Sequence, residues 1–327
     1  MKVAILHPSF EGSSSPFKDL DPECDPSRWL KGHECLPFRI EKARAVRQIT
    51  EIARQGFDVA INLCDGASDE DRAGIEVVRT LEALNAAFTG ADSLFFDPTR
   101  EAMKMACHSV GVKVPAYVMA GKSADVERAL ENLRFPMIVK HPRGYGSVGL
   151  TKDSRVSDAA ALRRETDRIV GEYGAALIEE FIEGREYTVV VAEARYPEEV
   201  AWALEPIEFC FPHGETFKHF DLKWKNYESM QTRAVADDAL AAGLRESSAL
   251  AFVALSGSGY ARCDLRVDAA GDIYLLELNP NCGVFYPEGS YGSADFILAS
   301  DPAGLEGFLR HLIECALKRR AMLRMRV

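Results

Sequence analysis

"LLELNPNCG", residues 275–283, is the stretch from which the rest of the chain is read. An apolar run gives way to a carboxylate and two amides at alternate positions, Glu277, Asn279 and Asn281. Alternate side chains of an extended chain point the same way. Glu277 and Asn279, which precede Pro280, therefore share one face at the end of a buried strand. By itself the stretch also reads as a strand running out into a turn, since Asn, Pro and Gly are turn formers. The upstream "ARCDLRVDAAGDIYLLELN" (261–279) tips the balance, because it reads as two alternating strands around the Gly-containing turn "DAAGD". Folded as a hairpin, it brings Asp264 opposite Glu277 to within about one residue of register. Asp264, Glu277 and Asn279 then converge at one strand end, with Arg262 on the face of Asp264. Two carboxylates and an amide oxygen, without His or Cys, suit a hard cation such as Mg²⁺. An arginine beside them suits phosphate. Together these are the outline of a nucleotide-triphosphate site.

The chain has 327 residues, enough for two or three domains. Its formal charge of −11 speaks against nucleic acid, which calls for a basic face, but leaves room for a small anion in a local basic pocket. No apolar run reaches the roughly 18 residues of a membrane span, and "MKVAILHPSF" reads as a first buried strand rather than a signal peptide. The eight cysteines are scattered without a C-x-x-C pair, the usage expected of reduced thiols in a cytoplasmic protein. Cys263 and Cys282 flank the candidate site and read as space-filling residues.

Strand and helix alternate through the first hundred residues, the mark of a parallel α/β sheet. "KVAIL" and "DVAINL" are strands, "FRIEKARAVRQITEIARQGF" and "RAGIEVVRTLEALN" helices, and "AAFTGA" follows. Residues 8–38 form a long Pro-, Ser-, Asp- and Gly-rich segment, either a functional loop or a surface insertion. "DPTREAMKMACHSVGV" predicts a helix capped by Asp97 with Pro98 in its first turn. "KVPAYVMA", a helix over about 123–133, and the strand "FPMIVKHP" come next. The glycine-rich "RGYGSVGL" (143–150), a helix near 157–173, and two strands around "EGRE" follow. The polar "FKHFDLKWKNYESM" (217–230), a helix over 235–257, the hairpin and a last helix near 302–320 complete the pass.

"MIVKHPRGYGSVGL" is a strand ending in Lys140 followed by a flexible loop. Backbone N–H groups of such a loop approach phosphate oxygens closely, and the lysine adds a point charge. The spacing fits neither common glycine-rich nucleotide motif, so an ordinary β-turn stays open as a reading. In "ALIEEFIEGREY", carboxylates at a strand edge suit an adenine edge and ribose hydroxyls, and solvated strand ends equally.

The order of these pieces is more specific than any one of them. Lys140, "RGYGSVGL", "IEEFIEGRE" and "RCDLRV…LLELNPN" resemble the ATP-grasp superfamily, and in particular its D-alanine–D-alanine ligase branch, over most of residues 40–283. The resemblance implies an α/β protein with an α+β C-terminal half: an ATP-grasp fold behind an N-terminal parallel-sheet α/β domain. The expected division is 1–97 for the substrate domain, 98–184 for the central subdomain with the glycine-rich loop, and 185–327 for the subdomain with the Mg²⁺ site. Carried over residue by residue, the resemblance puts Lys140 and Arg100 on ATP phosphates, with Lys104 the alternative to Arg100. Gly146 and Ser147 close over the phosphates. Glu179 and the Phe181–Ile182 backbone hold adenine, and Glu186 the ribose. Lys223 comes from a mobile loop, Asp264, Glu277 and Asn279 bind two Mg²⁺ ions, and Arg262 offsets developing negative charge.

The substrate side departs from the family. His7-Pro8 stands where a glycine pair is expected, and Cys64-Asp65-Gly66 replaces a His-Gly. An acidic substrate contact has approximate counterparts only in Glu11 or Ser13, and the serine after "NPN" shifts to Ser290 or Ser293. Arg28, Trp29 and the acidic "KDLDPECDPS" (18–27) are candidates for shaping an acceptor pocket. The expected function is an ATP-dependent carboxylate–amine ligase working through an acyl phosphate and releasing ADP and phosphate. Its partners are small amino acids or carboxylic acids, without nucleic acid or membrane, and a homodimer is compatible with the sequence. The alternatives are an authentic D-alanine–D-alanine ligase, a non-catalytic ATP-binding protein, and a subunit that passes an acyl group to a carrier.

Overall fold

The computed structural model describes residues 1–324, apart from 16 and 69. The apolar opening forms β1 (Lys2–Pro8), the middle strand of a parallel sheet with β2 (Glu34–Ile40) and β3 (Val59–Asn62). Helices α1 (Ala45–Ala53) and α2 (Ile75–Ala83) pack beside it. Phe38–Ile40 end a strand rather than begin a helix, because they continue the β1 pairing as far as Pro8↔Ile40. "AAFTGA" supplies one parallel bridge, Ala60↔Phe88, instead of a full strand.

Next come α3 (Arg100–Ser109), β4 (Tyr117–Ala120), α4 (Ser123–Asn132), β5 (Met137–Lys140), β6 (Arg155–Val156), α5 (Ala159–Tyr173) and β7 (Ala176–Glu180). Thr99, not Asp97, caps α3, its hydroxyl accepting from the Ala102 N–H. Asp97 instead accepts from the Tyr145 hydroxyl at 3.1 Å. Strands order as β4-β7-β5-β6 in an antiparallel sheet, and α4 and α5 bury Val126, Ala129, Leu162 and Ile169 in its core.

The remaining elements are β8 (Arg185–Ala192), β9 (Trp202–Ala203), β10 (Ile207–Cys210), α6 (Phe220–Trp224), β11 (Gln231–Ala234), α7 (Asp238–Ala254), β12 (Tyr260–Val267), β13 (Ile273–Pro280), α8 (Ser293–Ser300) and α9 (Gly304–Arg324). The third sheet runs β11-β10-β8-β12-β13, with β9 on β8. The two strands expected around "EGRE" form but belong to different sheets, so residues 181–184 cross between them. On one side α7 contributes Leu244, Ala251 and Phe252 to the core; on the other, Phe308 and Leu309 of α9 join residues of both β1 and β8. Helix α8 lies in a stretch to which the sequence reading assigns no element. Its buried Asp295 accepts from the Gly292 and Phe285 N–H groups, fixing the preceding turn.

Candidate active site

The β12–β13 register pairs Asp264 with Glu277 and Arg262 with Asn279. A shift just beyond Asp264 ends this regular stretch. Arg262 binds Asp264 through two nitrogens, at 2.8 and 3.0 Å, and the Thr188 hydroxyl donates to the same carboxylate at 2.9 Å. Arg100 reaches across from α3 to Glu277 at 2.7 Å. The Asn279 amide lies 3.3 Å from both carboxylates. Burial alone would raise both acids, but Arg262 beside Asp264 and Arg100 beside Glu277 outweigh it and hold them below the usual carboxylate range.

Asn281 parts company with its neighbours. With φ +50° after Pro280, it turns off the face shared by Glu277 and Asn279. Its amide donates to the Asn62 and Cys64 carbonyls at 3.4 and 3.3 Å, which clamps the hairpin end to β3.

A cleft of about 90 Å³ lies between the second and third sheets, and Arg100, Lys140, Ser147, Glu179, Glu186, Lys223, Arg262, Asp264 and Glu277 line it. Glu179 is placed differently from the expectation of an adenine contact. It is fully buried at 2.5 Å from both Lys104 and Lys140. Burial would raise its carboxyl, but the two ammonium groups bring it down to about 2. Its charge is spent on holding lysines, with Lys104 behind it and Arg100 facing the cleft. Of the Phe181–Ile182 backbone, the Phe181 N–H already donates to Pro136, and the Ile182 carbonyl accepts from Arg266. Glu186 is paired with Arg266 at 2.9 Å and Lys218 at 3.0 Å. Sequence reasoning missed both partners, although Arg266 continues the alternation of Arg262 and Asp264.

The glycine-rich loop and the polar 217–230 segment are joined. Ser147 Oγ donates to the Lys218 carbonyl at 2.8 Å, and Trp224 Nε1 to the Gly146 carbonyl at 2.8 Å. Gly146 has φ +64°, and a Cβ there would come within 2.8 Å of the Phe17 ring, so the close approach requires glycine. Binding cavities are commonly about 300–1,000 Å³. With the two loops joined, this cleft is smaller than that.

A second cavity of about 600 Å³ adjoins the first. Both are lined by Lys223, Tyr227, Arg262 and Ser293. Burial, with Arg262 near it, lowers the Lys223 ammonium to about 8. Asp21, Asp65 and Arg72 line only the second cavity. Tyr286 donates to Asp21 at 2.6 Å, and Arg72 binds Asp65 at 2.9 Å. Burial and then Asp65 raise the Asp21 carboxyl to about 6. Gly146, Asn279 and Ser290 also line this cavity. Glu11 and Ser13 line neither: Glu11 is exposed, and Ser13 donates to Asp71 at 2.6 Å. Of the acidic stretch 18–27, Leu20, Asp21 and Pro22 face the cavity. Trp29 instead packs on Phe285, with the Arg28 guanidinium over its ring.

Residues 107–286 match the family model for the D-ala D-ala ligase C-terminus. The chain belongs to the D-alanine–D-alanine ligase family. The D-alanine–D-alanine ligase of Ectopseudomonas mendocina is 30% identical over 236 residues, 71% of this chain and 70% of that protein. D-alanine–D-alanine ligase B of Chromobacterium violaceum is 27% identical over 73% of this chain and 75% of that protein. The crystal structure of the Bacillus anthracis D-alanine–D-alanine ligase complexed with ATP covers 98% of both chains with a TM-score of 0.72 at 20% identity. The VanG D-Ala:D-Ser ligase of Enterococcus faecalis superposes with a TM-score of 0.73 at 17% identity, over 96% of this chain and 99% of that one. This member of the D-alanine–D-alanine ligase family has the ATP-grasp fold and is an ATP-dependent carboxylate–amine ligase acting on small molecules. Among the described residues, no helix is long and apolar enough to cross a membrane.

Proposed function

We propose that ATP occupies the first cavity and an amino acid the second, and that the carboxylate of one substrate is phosphorylated where they meet. The sharing of Lys223, Tyr227, Arg262 and Ser293 by both cavities carries this reading. Arg100, Lys140, Ser147 and Lys223 hold the phosphates, and Gly146 lets the loop close. Glu186, already oriented by Arg266 and Lys218, serves the ribose. Phe181 packs edge-on to Phe217 at 6.0 Å and walls the base. Ile182 offers the backbone edge, and Glu179 keeps Lys140 in place.

Asp264, Glu277 and Asn279 fit a pair of Mg²⁺ ions, since they present hard oxygen donors and both acids are held ionised. A half-turn of the Asn279 amide exchanges its nitrogen for its oxygen. Bound there, the ions would neutralise the terminal phosphates and polarise the γ-phosphoryl group. Arg262 and Lys223 orient the substrate carboxylate towards that phosphorus. Attack gives an acyl phosphate and ADP; an amine then attacks the acyl carbon, and Arg262 offsets charge on the tetrahedral oxyanion. Phosphate leaves, and an amide forms. Ser293, with Ser290 further into the second cavity, holds the other substrate's carboxylate. Asp21 takes the place of the acidic substrate contact sought at Glu11 or Ser13, and meets the amine.

The three-part division 1–97, 98–184 and 185–327, a homodimer and a cytoplasmic location complete the reading. Phosphate release with ATP and Mg²⁺, screened over amino acids alone and in pairs, tests it. ADP and phosphate formed only in the presence of an amino acid are the expected result, and pyrophosphate would refute it.

A further inference from the structure

We propose that the second cavity selects an amino acid with a bulky apolar or aromatic side chain over alanine. The proposal rests on the ligase reading above and adds the substrate class to it. Three segments supply much of the cavity's apolar wall: Phe17 and Leu20 before β2, Trp224 and Tyr227 around α6, and Tyr291 and Phe296 after β13. The Phe17 and Trp224 rings lie 4.8 Å apart, and the same Phe17 ring meets Gly146 of the glycine-rich loop. The aromatic wall is thus fixed to the element that faces the nucleotide.

Charge is confined to few places in this cavity: Lys223 and Arg262 at the junction, Asp21, Asp65 and Arg72 at the other group, and Glu228. The first pair suits a carboxylate. In the second group Arg72 is bound by Asp65 and also by Glu70 at 2.7 Å, which leaves Asp21 for an ammonium. Those poles account for the constant part of one amino acid, Ser290 and Ser293 meet the second substrate's carboxylate, and the aromatic wall remains for a side chain. The 600 Å³ cavity holds many water molecules. One methyl group displaces few of them and meets little of the wall. A phenyl or indole ring displaces far more and stacks on rings already held in place.

A fitted apolar pocket discriminates by about 10- to 200-fold per methylene. The full chain, given ATP and Mg²⁺, is assayed for phosphate release with D- and L-alanine, serine, leucine, phenylalanine and tryptophan, alone and in pairs. A bulky amino acid should exceed alanine in kcat/KM by at least about 10-fold. Leu20→Trp, which fills the cavity from its wall, should lower that ratio at least about 10-fold. Tyr291→Ala, which widens it, should move preference from leucine towards tryptophan, and decides the matter where Leu20→Trp does not fold. Turnover that is fastest with alanine, or a ratio unchanged in both variants, overturns the proposal while leaving the ligase reading intact. No phosphate release with any amino acid or pair overturns the ligase reading, and this proposal with it.

Discussion

Asp264 and Glu277 stand directly opposite each other across the β12–β13 hairpin, and each carries its own arginine, Arg262 for one and Arg100 for the other. Like charges opposed on one face of a sheet destabilise it. A fold under no other demand would not keep them there. The two arginines come from different places, one from the hairpin itself and one from α3. The acidic pair thus also ties the third sheet to the helix that enters the second.

Glu277→Gln follows from that opposition. The change removes repulsion towards Asp264 and weakens the bond to Arg100, two effects of opposite sign. The melting midpoint should fall, because Arg100 outweighs burial and Asp264 in holding Glu277 ionised. Turnover should fall about 10²-fold or more, since one of the two carboxylates proposed to hold the Mg²⁺ ions is lost. Calorimetry beside phosphate release checks both, and activity lost only in proportion to folded protein counts against the assignment.

Lys223 stands at the junction of the two cavities on a segment bonded to the glycine-rich loop. A group that acts after closure contributes to turnover more than to nucleotide binding. Lys223→Ala should therefore lower kcat by far more than it raises the Kd for ATP, as followed by fluorescence of Trp224 or calorimetry. Equal losses would remove Lys223 from the closed state and make it a simple binding residue.

Glu179 gives a contrast between neighbours. Removing one partner of a buried ion pair costs about 3–5 kcal/mol because the remaining charge is stranded. Glu179→Gln strands both Lys104 and Lys140, so urea unfolding should show a loss in that range. Glu180, next in sequence, pairs with the exposed Arg134, and Glu180→Gln should change stability little, as exposed pairs do. Similar losses in the two variants would show that the buried triad is not stabilised by its central carboxylate.

Much of this was legible in the chain. The β12–β13 hairpin, and its register to within about one residue, follow from alternation around a Gly-containing turn, and the Lys140 strand end from an apolar run broken by glycines. What failed to show were contacts made at long range. Glu179 reads as a strand-edge carboxylate, but lysines from α3 and β5 bury it, and no local pattern reveals their approach. Glu11 and Ser13 were placed by distance along the chain from β1. The loop instead turns so that Leu20, Asp21 and Pro22 face the cavity. Asn281 fits the same alternation as Asn279, yet a positive φ just after Pro280 sends it to β3.

Asp21 makes the site sensitive to pH. Its folded-state pKa of about 6 lies above its usual value of 3.8. The stability it contributes is present below the usual value and lost as pH rises through about 6. Asp21→Asn should accordingly melt higher than the parent at pH 7.5 and gain little at pH 4. Binding runs the other way, because an ammonium calls for the ionised acid. The KM for the amine-bearing substrate should fall as pH rises through about 6 and then level off, and Asp21→Asn should flatten that profile at a raised KM. An unchanged profile in the variant excludes Asp21 as the amine contact.

The reaction order can be read from oxygen atoms. A carboxylate is a poor electrophile, and an amine does not displace its oxygen at neutral pH without activation. In the proposed reaction, phosphorylation at the junction of the cavities supplies that activation: the carboxylate oxygen bonds to the γ-phosphorus, and ADP leaves. When the amine attacks the acyl carbon, the bond broken is between that carbon and the bridging oxygen. The oxygen departs with phosphate, so a substrate carboxylate labelled with ¹⁸O should place one label in each inorganic phosphate and retain the other in the amide. Arg262→Lys keeps the charge but loses the two-nitrogen grip on Asp264. It should slow the appearance of labelled phosphate without redirecting the label. Mass spectrometry of the phosphate and of the nucleotide decides the matter: label found in AMP, or unlabelled phosphate released alongside the amide, rules out the acyl phosphate.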